Sequence, residues 1–165
     1  YLIERWMNRD RPIWGICLGA QLMTRVLGAV VYKHPSEQVE VGWYPIDPVG
    51  SGKRIFTPLT HVYQWHREGF ELPSGASRLA SGVVGGLFRE QAYLMGQNAL
   101  ATQFHPEMQP KMMNRWLMRA GQMLELSGSM NINNHRCGIT RYYRKQSRWL
   151  KRTLDRWVSF KLLSA

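Results

Sequence analysis

Cysteine is scarce. Two cysteines, Cys17 and Cys137, in a chain of 165 residues argue against a disulfide-stapled scaffold. Long apolar runs are missing too. No stretch approaches the roughly 18 uninterrupted apolar residues of a membrane span. Tyr1-Leu2-Ile3-Glu4-Arg5 offers no basic start, apolar run or small-residue cleavage site, so it does not read as a secretory signal. These absences lead to the expectation of a reducing, cytoplasmic setting without a membrane partner. Five His and two Cys show no zinc-type spacing. Gly82-Val83-Val84-Gly85-Gly86 lacks the Lys-Ser/Thr that completes a phosphate loop. Neither a metal nor an organic cofactor is expected.

What is present is a core. Hydrophobic residues make up 44% of the chain, with seven Trp, seven Tyr and five Phe. That content needs burial and excludes a disordered chain. Leu2, Ile3 and Trp6 fall at helical spacing from the outset, with no initiating Met. The opening therefore reads as the interior of a helix with residues expected upstream. Acidic residues are half as many as basic ones, 11 against 22, for a net charge of +11. Arg136 to Ala165 holds nine basic residues and one acidic residue, Asp155. Tyr142, Tyr143, Trp149, Leu150, Leu154, Trp157 and Val158 recur there at helical spacing. The segment reads as an amphipathic helix with aromatics inward and a solvated basic face. Nucleic acid is not expected as a partner, because no nucleic-acid motif accompanies the charge.

The pattern along the chain is α/β. Pro12 to Ile16 reads as a buried strand, Ala20 to Leu27 as a helix stopped by Gly28, and Ala29 to Tyr32 as a second strand. Further strands are expected at 39–46, 60–65 and 78–81, with a hairpin of 91–95 and 99–104 around Gly96-Gln97-Asn98. A long helix opens at Pro110 and runs to Gly128, with Met113, Trp116, Leu117 and Leu124 in its apolar stripe. Residues 127–138 read as a polar connector to the basic helix. The organisation predicted is a domain over 1–128, with 129–165 as connector and C-terminal helix packed on it. A strand–helix–strand opening predicts a mostly parallel sheet flanked by helices.

The chemistry centres on Gly15-Ile16-Cys17-Leu18-Gly19. This is the Cys counterpart of a nucleophile elbow, a sharp turn from a buried strand into a helix. The free N–H groups and positive dipole end of that helix favour a thiolate at Cys17. The N–H of Leu18 is placed to meet a developing oxyanion. A thiol nucleophile needs a base, and the base needs an orienting group. Gln103-Phe104-His105-Pro106-Glu107 supplies both at the end of a predicted strand, with Glu107 on the second ring nitrogen of His105. Gln21 lies one helical turn after Cys17 and so on its face. Cys137 reads as a bystander thiol, and His34 and His61 as structural.

Gly15-Ile16-Cys17-Leu18-Gly19-Ala20-Gln21 followed by Phe104-His105-Pro106-Glu107 resembles the class I (triad) glutamine amidotransferases, most of all the stand-alone GMP-synthase-like members. The resemblance covers roughly Pro12 to Met108. It implies the family's flavodoxin-like fold, lacking here its N-terminal β/α units. It implies a triad of Cys17, His105 and Glu107 that hydrolyses the side-chain amide of glutamine through a γ-glutamyl thioester. Ammonia would go to an acceptor on a synthetase partner. Gln21, Gly19, Trp65, His66 and Arg67 occupy positions expected to line the glutamine pocket. Trp65-His66 departs from the more usual small polar residue plus His.

The family also carries a Gly-rich loop, upstream of the elbow strand, that gives a second oxyanion N–H. Nothing in Tyr1 to Arg11 matches it, and the missing strands would leave a sheet edge open. The expectation is a fragment or a crippled relative, poorly stable by itself. Two alternatives stand beside the glutaminase reading. One is a γ-glutamyl hydrolase-like enzyme, disfavoured because those relatives usually carry Arg where Leu18 stands. The other is a non-catalytic module that binds through the basic C-terminal helix.

Overall fold

A computed structural model describes residues 2–9 and 11–159. The chain opens with α1 (Leu2–Met7), β1 (Ile13–Ile16), α2 (Leu18–Val26) and β2 (Val31–Lys33). Next come β3 (Glu40–Pro48), α3 (Gly52–Phe56), β4 (His61–His66), β5 (Glu68–Phe70) and β6 (Ser77–Gly82). The remainder is β7 (Glu90–Met95), β8 (Ala99–Thr102), α4 (Pro110–Arg119), α5 (Ile132–Gly138) and α6 (Arg144–Val158). Residues 160–165 of the expected basic helix lie outside the described residues.

The α/β class is as expected, but the sheet is mixed rather than mostly parallel. Six strands run in the order β1-β8-β7-β6-β3-β4, and β2 and β5 form a separate antiparallel pair. In the larger sheet only β1 and β8 pair in parallel. Most of these strands follow one another through short connections, and a short connection joins antiparallel neighbours. β1 closes one end of the sheet order.

Alternation along β8 sorts the core. Leu100 faces a cluster with Ile46, Phe56, Leu79, Phe104 and Trp149. Ala99 and Ala101 face another with Ala20, Met23, Phe70 and Tyr93. That is the period-two rule of a strand covered on both sides. The first cluster draws in α6, whose Trp149 stacks on Phe56 with ring centroids 5.3 Å apart and donates from Nε1 to the Ile55 carbonyl at 2.6 Å. The basic helix therefore packs Trp149 inward, whereas Leu154 and Val158 of the expected apolar stripe are exposed.

Two elements differ from the sequence reading. The helix from Pro110 stops at Arg119, because Gly121 takes φ +49° and turns the chain into a 3-10 segment, Gly121–Glu125. The polar connector contains α5, opened by Asn131, whose side chain accepts from the Asn134 N–H at 2.9 Å. A π-helical stretch, Ile139–Tyr143, joins α5 to α6. Among the described residues no helix is long and apolar enough to cross a membrane.

Candidate active site

The parallel pairing of β1 with β8 builds the site. Ile16 lies opposite Thr102, and the Cys17 N–H donates to the Thr102 carbonyl at 2.8 Å. Each chain leaves the sheet at the same end, one into the elbow and the other into Gln103–Glu107. Two motifs 88 residues apart in sequence thereby become neighbours.

The elbow is held in an unfavourable conformation. Cys17 sits at φ 48°, ψ −106°, a region that costs a non-glycine residue about 1–3 kcal/mol. Its backbone is pinned on both sides, since its carbonyl also accepts from the Gln21 N–H at 3.0 Å. The two elbow glycines have different reasons. A Cβ on Gly15 would lie 2.5 Å from Met23 Sδ and 2.7 Å from the Gly19 carbonyl oxygen, so close strand–helix approach requires glycine there. A Cβ on Gly19 would meet nothing within 4 Å. Close packing therefore does not require glycine at position 19. Leu18 opens α2, where the first N–H groups have no intrahelical acceptor, and its side chain is exposed.

Around the sulfur, Gln103 Nε2 donates to Cys17 Sγ at 3.7 Å, and the Trp65 carbonyl is 4.0 Å away. His105 Nδ1 bonds Glu107 Oε1 at 2.7 Å. Burial opposes a charge on His105. Hydrogen bonds to Cys17 and Glu107, together with their charges, outweigh it and raise the imidazole to about 9. Trp116 of α4 stands edge-on to His105 at 5.3 Å and to Trp65 at 5.2 Å, backing both.

An open cavity of about 410 Å³ lies over Cys17, lined also by Gln21, Trp65, His66, Arg67 and Glu68, with Lys33 and Met123 at its sides. Of the sequence-predicted pocket residues, Gln21, Trp65, His66 and Arg67 line this cavity and Gly19 does not. Trp65 presents its carbonyl to the sulfur, and Arg67 is exposed. The His66 ring is turned inward and bonds Glu40 Oε2 at 3.0 Å and the Glu68 carbonyl at 2.9 Å. Two oxygen acceptors occupy both ring nitrogens. His66 thus shapes the cavity wall and has no free ring nitrogen for a ligand. Gln91 Nε2 also donates to Glu40 Oε2, at 3.0 Å. The Glu68 carbonyl accepts a second bond from Gln21 Nε2 at 3.0 Å, which ties the nucleophile helix to the wall.

Sequence reading placed Glu68 within the pocket segment 61–70 but missed Lys33 and Met123, which strand pairing and the 3-10 turn bring in from afar. Gln103 carried a signal, its place two residues before His105, but no role was read from it. Cys137 is exposed on α5, away from this cavity's lining. His61 stacks on Tyr142 at 4.2 Å, a packing role. Among the described residues no three His, Cys, Asp or Glu side chains are grouped as metal ligands.

Residues 1–122 match the family model described as "Glutamine amidotransferase class-I". A curated relative, the carbamoyl phosphate synthase small chain of Pyrobaculum aerophilum, is 30% identical over 112 residues, 66% of this chain and 30% of that one. Another, imidazole glycerol phosphate synthase subunit HisH 2 of Parasynechococcus marenigrum, is 29% identical over 136 residues, 70% of this chain and 64% of that one. This chain thus spans from under a third to just under two thirds of their lengths. The solved structure of a glutamine amido transferase from Methylobacillus flagellatus matches with a TM-score of 0.86 at 22% identity, over 96% of this chain and 67% of that one. At that identity the match establishes the fold.

Proposed function

This chain belongs to the class-I glutamine amidotransferase family, and from that premise we propose that it carries out the glutaminase half-reaction with Cys17, His105 and Glu107 as a catalytic triad. The observation that carries this reading is the convergence of a strained thiol, a hydrogen-bonded His105–Glu107 pair and an open cavity at the ends of two adjacent parallel strands. The cavity volume, about 410 Å³, falls in the range of small-molecule sites.

In this mechanism glutamine places its side-chain amide over Cys17. The thiolate attacks the amide carbon, and negative charge develops on the carbonyl oxygen. The Leu18 N–H meets that charge. His105, protonated, gives its proton to the departing nitrogen as the C–N bond breaks, and ammonia leaves a γ-glutamyl thioester. Neutral His105 then takes a proton from water, whose oxygen attacks the thioester. The C–S bond breaks, glutamate forms and the thiolate–imidazolium pair returns. Glu107 holds the ring orientation throughout. Gln21, the Trp65 carbonyl, Arg67 and the wall held by His66 define the substrate pocket. No metal or organic cofactor takes part.

The rest of the reading concerns context. Residues 1–128 make up the amidotransferase unit, and the connector and helix described to residue 159 pack on it. The chain lies in the GMP-synthase-like branch, on the strength of its two motifs. It works in the cytoplasm, where a nucleophilic thiol stays reduced. Its ammonia passes to an acceptor on a synthetase partner; both curated relatives are named as one part of a synthase. The test is ammonia release from glutamine by the full chain. The expected result is release that Cys17→Ser abolishes. Release that survives Cys17→Ser would overturn the reading.

A further inference from the structure

His105 does not sit in a strand. It follows β8 on a loop, and its ring must stay within hydrogen-bond reach of Cys17. Its backbone N–H donates to the Tyr63 carbonyl at 2.8 Å, fixing one side of the peptide. The other side is held from a distant element, the helix α6. Gln146 of α6 is fully buried, although its neighbours Lys145 and Arg148 are exposed. Its Nε2 donates to the His105 carbonyl at 3.2 Å and to the Pro106 carbonyl at 3.5 Å. Its Oε1 accepts from the Tyr63 N–H at 3.2 Å.

The three bonds close a ring. Tyr63 is bonded through its carbonyl to His105 and through its N–H to Gln146, and Gln146 returns to His105. The carboxamide thus acts as an extra peptide group inserted between β4 and the catalytic loop. Only a side chain with both a donor and an acceptor at this length can do so. Gln146 lies beyond residues 1–122, the stretch matched by the family model. Its burial has a cost that these bonds offset.

We propose that Gln146 is a positioning residue for the triad, so that the C-terminal basic helix sets the geometry of His105 with respect to Cys17. This rests on the glutaminase reading for its consequence in turnover, but not for its structural content. The inward face of the helix then has two duties. Trp149 anchors it in the core, and Gln146 reaches the catalytic loop one turn earlier. Misplacing a reacting group by an ångström can cost about a hundredfold in rate.

The experiment compares the full chain with Gln146→Met, which keeps the volume and removes both polar functions. Two readouts are taken well below the unfolding temperature. The first is glutamine turnover. Expected is a kcat lower by on the order of tenfold to a hundredfold with KM changed little, because the pocket wall is untouched. The second is the NMR titration of the His105 ring, whose midpoint should fall as contact with the Cys17 sulfur loosens. A merely structural role would lower thermal stability and leave both readouts as in the parent. Should Gln146→Met not fold, Gln146→Asn, which keeps the amide but is too short to span, carries the same comparison. An unchanged His105 midpoint in a folded variant overturns the proposal. A parent chain that turns over no glutamine overturns the glutaminase reading instead, and the titration still decides the role of Gln146.

Discussion

Two histidines respond to their surroundings in opposite directions. His105 is raised from 6.5 to about 9, with burial opposed and outweighed by Cys17 and Glu107. His135 is lowered from 6.5 to about 4 by burial, with the Met130 backbone acting weakly the other way. It packs against Tyr63 and Trp65, and neither ring nitrogen finds a hydrogen-bond partner. The linkage signs follow. A raised His stabilises the fold fully below pH 6.5, and that contribution disappears as pH rises through about 9. A lowered His contributes fully above pH 6.5, and the contribution is lost as pH falls through about 4. From these two groups stability should peak near pH 6.5 and fall on each side. Urea unfolding measured across that range checks it. His105→Gln should flatten the alkaline limb and His135→Leu the acid limb. Limbs that persist in both variants would assign the pH dependence to other groups.

At the scale of elements, the elbow depends on how closely α2 approaches β1. Gly15 and Gly19 look equivalent in the motif and are not equivalent in space. Gly15→Ala must displace the Met23 sulfur and the backbone of α2, an overpacking that costs about 1–3 kcal/mol. Gly19→Ala should leave stability within about 0.5 kcal/mol of the parent, as surface substitutions do. Chemical denaturation of both variants tests the contrast, and equal losses would contradict it. The elbow and its helix were legible in sequence because strand, glycines and helix are local signals. The direction of the strands was legible only in part. The hairpin around Gly96-Gln97-Asn98 read as antiparallel and is so, whereas the strand–helix–strand opening read as parallel neighbours, and β2 instead pairs with β5 outside the larger sheet. The helix after Pro110 read too long because its apolar stripe continues past Gly121 into the 3-10 turn.

At the scale of the whole molecule, the site is a product of tertiary pairing. Cys17, His105 and Glu107 were readable because each motif carries its chemistry in a few adjacent residues. Gln146, Lys33 and Met123 were not, since only the folded chain brings them to the His105 loop or the cavity. His66 was read as a pocket residue, and the fold turns its ring to Glu40, a strand away. The basic C-terminal segment read as a solvated helix, and its outward charge fits that reading. Its inward residues Gln146 and Trp149 tie it to β4, to the His105 loop and to α3. β1 lies at one end of the sheet order, with Ile13, Trp14 and Ile16 half-buried.

The measurement that bears most directly on the central claim is covalent labelling of the full chain with 6-diazo-5-oxo-L-norleucine, a glutamine-mimicking electrophile, read by peptide mass spectrometry. The account predicts modification at Cys17, suppressed by free glutamine, with Cys137 unmodified. Modification confined to Cys137, or labelling at Cys17 that glutamine does not compete, would contradict a working glutamine pocket over the elbow.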